Sequence, residues 1–410
     1  MRHDTLQPQR LPYRLLLPVL GMLSVPACGD DGGSDAADST GAGSTGMTST
    51  PTTDDSTTVT TTTSTTGQGS TSQDTTGVES STGGAESSEG GDSSSSTGDE
   101  VEACAPELGL YANDDCTTLA DGIDAYEPQY KLWSDGLVKF RYVSLPDAID
   151  SSDADYWSFP VGTVLWKHFE TTGGLRVETR RIEKVSDDVG PDAWVFETFE
   201  WNEAGDAVEA VVNGSENVLG TDHDIPAVAD CAECHNGGED GMGGGGATHD
   251  AVLGFSALQL NHEDTDVTLA SLSDDGLLSA AVPVAAAVIP GDATAEAALG
   301  VMHANCGHCH GGDTPSGGMR LFVTVGHDAV TETPTYIDTV GVEIGMSPVV
   351  GIPDYRILGG SVADSAVPWR MGQRDGDGMG AAQMPPLATE DVDDDGVAAV
   401  EAWINSLPAG

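Results

Sequence analysis

Between residues 29 and 100 the chain offers almost nothing that can fill a core: the stretch is Ser, Thr, Gly and Asp with hardly a large apolar side chain. Such a segment cannot offset the entropy of ordering itself, so residues 28–100 are expected to form a disordered, hydrated tether behind Cys28. Roughly 310 residues remain for folded structure, room for one β-rich domain and one or two small helical ones.

What precedes the tether reads as an export signal, residues 1–27. Arg2, Arg10 and Arg14 lead into an apolar run over 15–25 that Pro18 interrupts and that is too short to span a membrane. It ends in Val25-Pro26-Ala27-Cys28, similar to the lipobox of bacterial lipoproteins, although Pro26 is unusual there. Lipid on Cys28 would hold the protein on a membrane; the alternative is an ordinary cleaved signal peptide. A tether directly after Cys28 favours the anchor, so the expected location is exported and membrane-anchored, facing the periplasm or cell surface. The later apolar stretch at 277–289 is short and contains Pro283.

The formal net charge is −52, from 15 Lys and Arg against 67 Asp and Glu. No basic stripe is present to neutralise phosphates, which excludes a nucleic-acid partner. The acidity serves solubility, or steers a basic redox partner to an acidic face.

Seven cysteines divide by spacing. Cys28 is assigned to the lipid. Cys104 and Cys116, twelve apart at the start of the folded region, are disulfide candidates in an exported chain, with two free thiols as the alternative. The other four make Cys231-Ala232-Glu233-Cys234-His235 and Cys306-Gly307-His308-Cys309-His310, both CxxCH. Thiols three residues apart lie on one side of a helical turn, where both reach the vinyl groups along one edge of a haem, and the next residue sets an imidazole beneath the iron. The expectation is two covalent haem c groups, with His235 and His310 as axial ligands. A zinc site of four thiolates leaves both histidines unexplained, and neither motif follows the βαβ pattern of a thioredoxin-like protein.

For the second haem the sixth ligand is expected to be Met384, in Gln383-Met384-Pro385-Pro386-Leu387, with Met371 or Met379 as alternatives. A closing helix follows: Val397, Val400, Ile404 and Leu407 recur at helical spacing with Trp403 beside them, and Asp391, Asp393, Asp394 and Asp395 suit its start. The aspartates resemble a calcium loop, but its twelfth position is Ala402, so they read as capping charge. His/Met ligation suits electron transfer. For the first haem His303 is one candidate; Met242, His249, His262 and His223 are others, and an open or water-bound iron is the alternative.

Residues 101–225 are expected to be a β-rich, sandwich-like domain, because runs at 156–166, 175–185, 194–201 and 207–212 are rich in β-branched and aromatic residues between turn formers. A first haem segment at 226–290 and a cytochrome c-like domain at 291–410 complete an α+β chain, with α-helical haem domains behind the sheet.

Leu132-Trp133-Ser134-Asp135-Gly136, the run from Phe159 to Lys167, the run from Leu253 to Asn261, the second CxxCH with His303-Ala304-Asn305 before it, Trp369-Arg370-Met371 and Met384-Pro385-Pro386-Leu387 occur in order. Together they resemble a bacterial diheme c-type cytochrome family, from about residue 109 to 407. The resemblance implies haem ligands at His235, His310 and Met384 and an electron-transfer partner, since some members accompany β-propeller sugar-dehydrogenase domains. This chain has no such domain, and its loop after His235 is stretched by glycines.

The leading expectation is therefore an electron carrier between a donor, such as a sugar or alcohol dehydrogenase, and a redox acceptor, rather than an enzyme. A diheme peroxidase or small-molecule oxidase with an open first haem is the alternative, and a binding module built on the β domain is a third.

Overall fold

The computed structural model describes residues 103–237, 247, 249–250, 252–312, 315–374, 382–386 and 389–410. Asp92–Gly410 form one unit and Met1–Gly91 another; the signal, Cys28, the tether, Met242 and Met379 lie outside the described residues.

The first half is an antiparallel meander. Strands β1 (Asp124–Tyr126), β2 (Val138–Ser144), β3 (Val164–Glu170), β4 (Arg176–Lys184), β5 (Trp194–Trp201) and β6 (Val208–Ala210) pair each with the next. A separate two-stranded ladder joins β7 (Asn213–Ser215) to β8 (Ile225–Ala227). The α+β order holds, strands first and helices after. The sandwich-like expectation is corrected, because one six-stranded sheet stands where two facing sheets were expected.

The aromatic residues suggested a sandwich because they occupy both parities of the strands. Leu165, Ile182 and Phe196 are cross-strand partners on one face and pack with Trp157, Phe159 and Phe255. Trp166, Phe199 and Trp201 lie on the other face against Leu108, Leu110 and the Cys104–Cys116 disulfide. Both faces are covered, but by loops and short helices rather than a second sheet. Trp157 and Phe159, expected in a strand, sit in one of those covering loops. The Cys104–Cys116 disulfide closes a loop with a sequence separation of 12, which stabilises the fold by about 3 kcal/mol in the chain-entropy account.

A buried ionic knot holds the cover to the sheet. Lys184 at the end of β4 meets Asp250 at 2.5 Å, and both side chains are almost wholly enclosed. Asp250 also accepts from Trp194 Nε1 at 3.1 Å and from the Phe159 amide at 2.8 Å, while Lys184 donates to the Asp188 carbonyl at 2.6 Å. Each charge has partners, which is the condition under which burial is tolerated.

Short helices α1 (Cys231–Cys234) and α2 (Leu269–Asp274) lead to α3 (Ala293–Asn305), α4 (Pro334–Thr339), α5 (Ala366–Met371) and α6 (Asp394–Ser406). Asp292 caps α3 through the Thr294 and Ala295 amides, and Asp393 caps α6 through Gly396. Leu299 and Met302 of α3 share a core with Val400, Trp403 and Ile404 of α6. The sheet half docks on α3 at Gly300, where an added Cβ would stand 2.2 Å from the Tyr130 ring. Trp133 completes the contact by donating its amide to Asn305 Oδ1 at 2.7 Å.

Replacing Asp250 by Ala strands a buried ammonium, so Asp250→Ala is expected to lower unfolding free energy by about 3–5 kcal/mol. Urea denaturation followed by tryptophan fluorescence measures it; a loss below about 1 kcal/mol contradicts the assignment.

Candidate functional site

The two CxxCH segments adopt the same turn. In α1 the His235 amide donates to the Cys231 carbonyl at 3.0 Å; at the end of α3 the His310 amide donates to the Cys306 carbonyl at 2.8 Å. Both therefore continue one helical turn, as the spacing requires. Gly307 is needed in the second, because a Cβ there would sit 2.6 Å from the His303 carbonyl oxygen.

The turns meet. Cys309 Sγ lies 3.5 Å from the Glu233 carbonyl oxygen, and Cys234 and Cys309 share a hydrogen bond between their sulfurs. That bond, with His308 beside it, pulls the Cys234 thiol down to about 3 and pushes Cys309 up. Burial pushes Cys306 up to about 12 and also raises Cys231. Of the four thiols Cys234 is thus the one whose ionisation is favoured, and a thiolate is the reactive form.

A cleft of about 1610 Å³, counting the solvent at its mouth, opens beside this contact. Its floor is the inner face of the sheet at Leu165, Ile182 and Phe196. Cys231, Cys234, His235, His308 and Cys309 form one wall, and Trp133, Pro385 and Pro386 close it elsewhere. The His235 ring lies 5.4 Å from Phe196. A smaller cavity of about 730 Å³ on the other side of Cys234 is lined by Tyr156, His249, His303, His308 and Phe322.

The histidines and methionines singled out in the sequence have these places. His310 Nδ1 donates to the Ser316 carbonyl at 2.7 Å, and burial lowers its pKa. His303 is enclosed, its Nδ1 accepts from the Val323 amide at 3.2 Å, and its ring lies 4.4 Å from Phe322; burial lowers it to about 3. His249 lies 4.2 Å from the Tyr156 ring, and His262 Nε2 donates to the Glu127 carbonyl at 2.6 Å. His223 is buried against Glu178 at 2.8 Å on the floor of the larger cleft. Met384 is half-buried and its amide donates to the Arg370 carbonyl at 3.1 Å, while Met371 lies in the core between α5 and α6.

No family model matches the chain, and no curated protein or solved structure is detectably similar to it. Among the described residues no group of three or more His, Cys, Asp or Glu side chains is placed to hold a metal ion. On that finding the diheme c-type cytochrome resemblance, the two haem c groups with their iron, and the electron-carrier and peroxidase-like readings are corrected and not carried further. The physical reason is where the side chains go. Side chains expected to attach two haems or ligate their irons turn instead to one another and to the backbone: Cys234 to Cys309, His310 to Ser316, His303 to Val323. Two of the seven cysteines, Cys104 and Cys116, are joined in a disulfide.

The sequence reading missed three basic residues on the cleft floor, Arg141, Lys167 and Arg180. Their signal was available: cations at inward positions of consecutive strands in a chain with only 15 Lys and Arg.

Because the Cys234 pKa is depressed, its thiolate persists as pH falls toward 3, whereas the raised Cys306 stays protonated through neutral pH. Iodoacetamide at pH 5 is therefore expected to label Cys234 ahead of Cys306, and peptide mapping reads the order. Equal labelling contradicts the shared hydrogen bond.

Proposed function

We propose that this chain is an exported, membrane-tethered binding protein that holds a large organic ligand in the cleft between the sheet and the two CxxCH turns, and does not turn a substrate over. The observation that carries this reading is the cleft itself: one continuous space with a floor of apolar side chains beside a row of cations, a wall of thiols and imidazoles, and contributions from residues distant in sequence. Sites for organic molecules are concave and mainly apolar with a few placed polar groups, and this cleft has that character. The fixed turns of Cys231–Cys234 and of Cys306 to His310 supply the polar groups.

Lipid on Cys28 would place the cleft at a membrane surface, at the end of a tether of about seventy residues. Among the described residues no helix is long and apolar enough to cross a membrane. A protein partner with a basic face, a dehydrogenase among them, would be drawn to a chain of net charge −52, whereas nucleic acid would be repelled.

The test uses two dyes with the same rings: neutral N-phenyl-1-naphthylamine and its sulfonated counterpart, 1-anilinonaphthalene-8-sulfonate. Trp133 and Trp166 line the cleft and transfer excitation to a bound dye. Saturable binding is expected, lost in Ala304→Trp or Leu253→Trp, which fill the cleft from two sides, with circular dichroism reporting the fold of each. Absence of saturable binding, or binding unaltered in both folded variants, overturns the reading.

A further inference from the structure

Arg141 on β2, Lys167 on β3 and Arg180 on β4 are direct cross-strand neighbours: Arg141 opposes Lys167, and Lys167 opposes Arg180. All three line the larger cleft. Like charges directly opposed across a ladder weaken a sheet, so a run of three needs a counterion.

The nearby acids do not supply one for the whole row. Glu178 is fully enclosed and engaged by Arg180 at 2.6 and 2.9 Å and by His223 at 2.8 Å. Glu127 binds Lys131 at 2.5 Å and reaches Arg141 only at 3.5 Å. Arg141 is 5% exposed, and its Nη1 has no hydrogen-bond partner. Among the described residues no acid is hydrogen-bonded to Lys167, whose ammonium rests over the Phe169 ring at 4.8 Å. In a chain with 67 acidic side chains, leaving the central cation of the row without one is a selective arrangement. Lys139, on the same face of β2, adds to the positive field and donates to the Leu132 carbonyl at 3.0 Å.

We infer that the ligand of the cleft is an organic oxyanion: an apolar, ring-sized body lying on Leu165, Ile182 and Phe196, with carboxylate or phosphate oxygens received by Arg141, Lys167 and Arg180. This rests on the cleft being a binding site. Two guanidinium groups and an ammonium match the oxygens of either head group, and charge-assisted hydrogen bonds are the strongest available in a half-enclosed site. Burial, with Arg180 and Arg141 close by, holds the Lys167 pKa well below its usual value, and a bound anion relieves that.

The full chain is titrated with the dye pair, then the bound dye is displaced with 1-naphthoate, 1-naphthyl phosphate and neutral 1-naphthol. The sulfonated dye is expected to bind at least about tenfold more tightly than the neutral one, the value of one charge-assisted hydrogen bond. Lys167→Met is expected to erase that preference, and Lys167→Arg to restore it. At least one charged naphthalene should displace at about tenfold lower concentration than naphthol, and the stronger of the two names the head group. Equal affinities for both dyes, a preference that survives Lys167→Met, or naphthol displacing as well as the anions overturns the inference. If neither dye is excluded by the cleft-filling variants, the binding reading itself fails, which is a separate outcome.

Discussion

Two cysteine-and-histidine turns come together here because the sheet half is docked on α3. Glu233 and Cys309 are 76 residues apart, yet Cys309 Sγ lies 3.5 Å from the Glu233 carbonyl oxygen. That proximity depends on the seating of Tyr130 over Gly300, on Gln259 Oε1 accepting the Tyr130 amide at 2.9 Å, and on Asn305 accepting the Trp133 amide. Asn305 stands at the end of α3, immediately before Cys306, so the residue that fixes the helix to the sheet half also aims the second turn. Without this docking the cleft has a floor and no wall.

The electrostatics follow from the same arrangement. The chain is strongly acidic, yet the inner face of its sheet carries a row of cations pointed at the cleft. Where a buried charge serves only the fold, the structure gives it a full set of partners, as with Lys184, Asp250 and Trp194. Lys167 lacks that treatment. The contrast between a satisfied knot at one end of the inner face and a central lysine without a hydrogen-bonded acid on the same face separates architecture from recognition.

Much of the fold was legible from residue pattern. The strands at 176–184 and 194–201 fall where β-branched and aromatic runs lie, and α6 buries Val400, Trp403 and Ile404 as their spacing requires. The aspartates before α6 do cap it, through Asp393. What pattern could not give was the number of sheets. Aromatic residues at both parities say that two faces are covered, not what covers them, and loops bearing Trp157, Phe159 and Leu108 serve as well as a second sheet. Of the site, the CxxCH turns were visible in local spacing because their geometry is local. Their contact with each other, the two cavities, and the row of Arg141, Lys167 and Arg180 are products of strand register and helix docking, which no window of sequence contains.

The central claim is that the cleft is an exchangeable binding site walled by free thiols. Intact mass spectrometry and thiol counting on full-length protein, isolated from the membranes of an exporting bacterial host, test it most directly. The account predicts the mass of the polypeptide with its N-terminal lipid alone, and four thiols, Cys231, Cys234, Cys306 and Cys309, alkylated after denaturation without reductant. A group bonded through those sulfurs, with correspondingly added mass and absent thiols, would contradict it, for the cleft would then be the permanent seat of a covalently held cofactor.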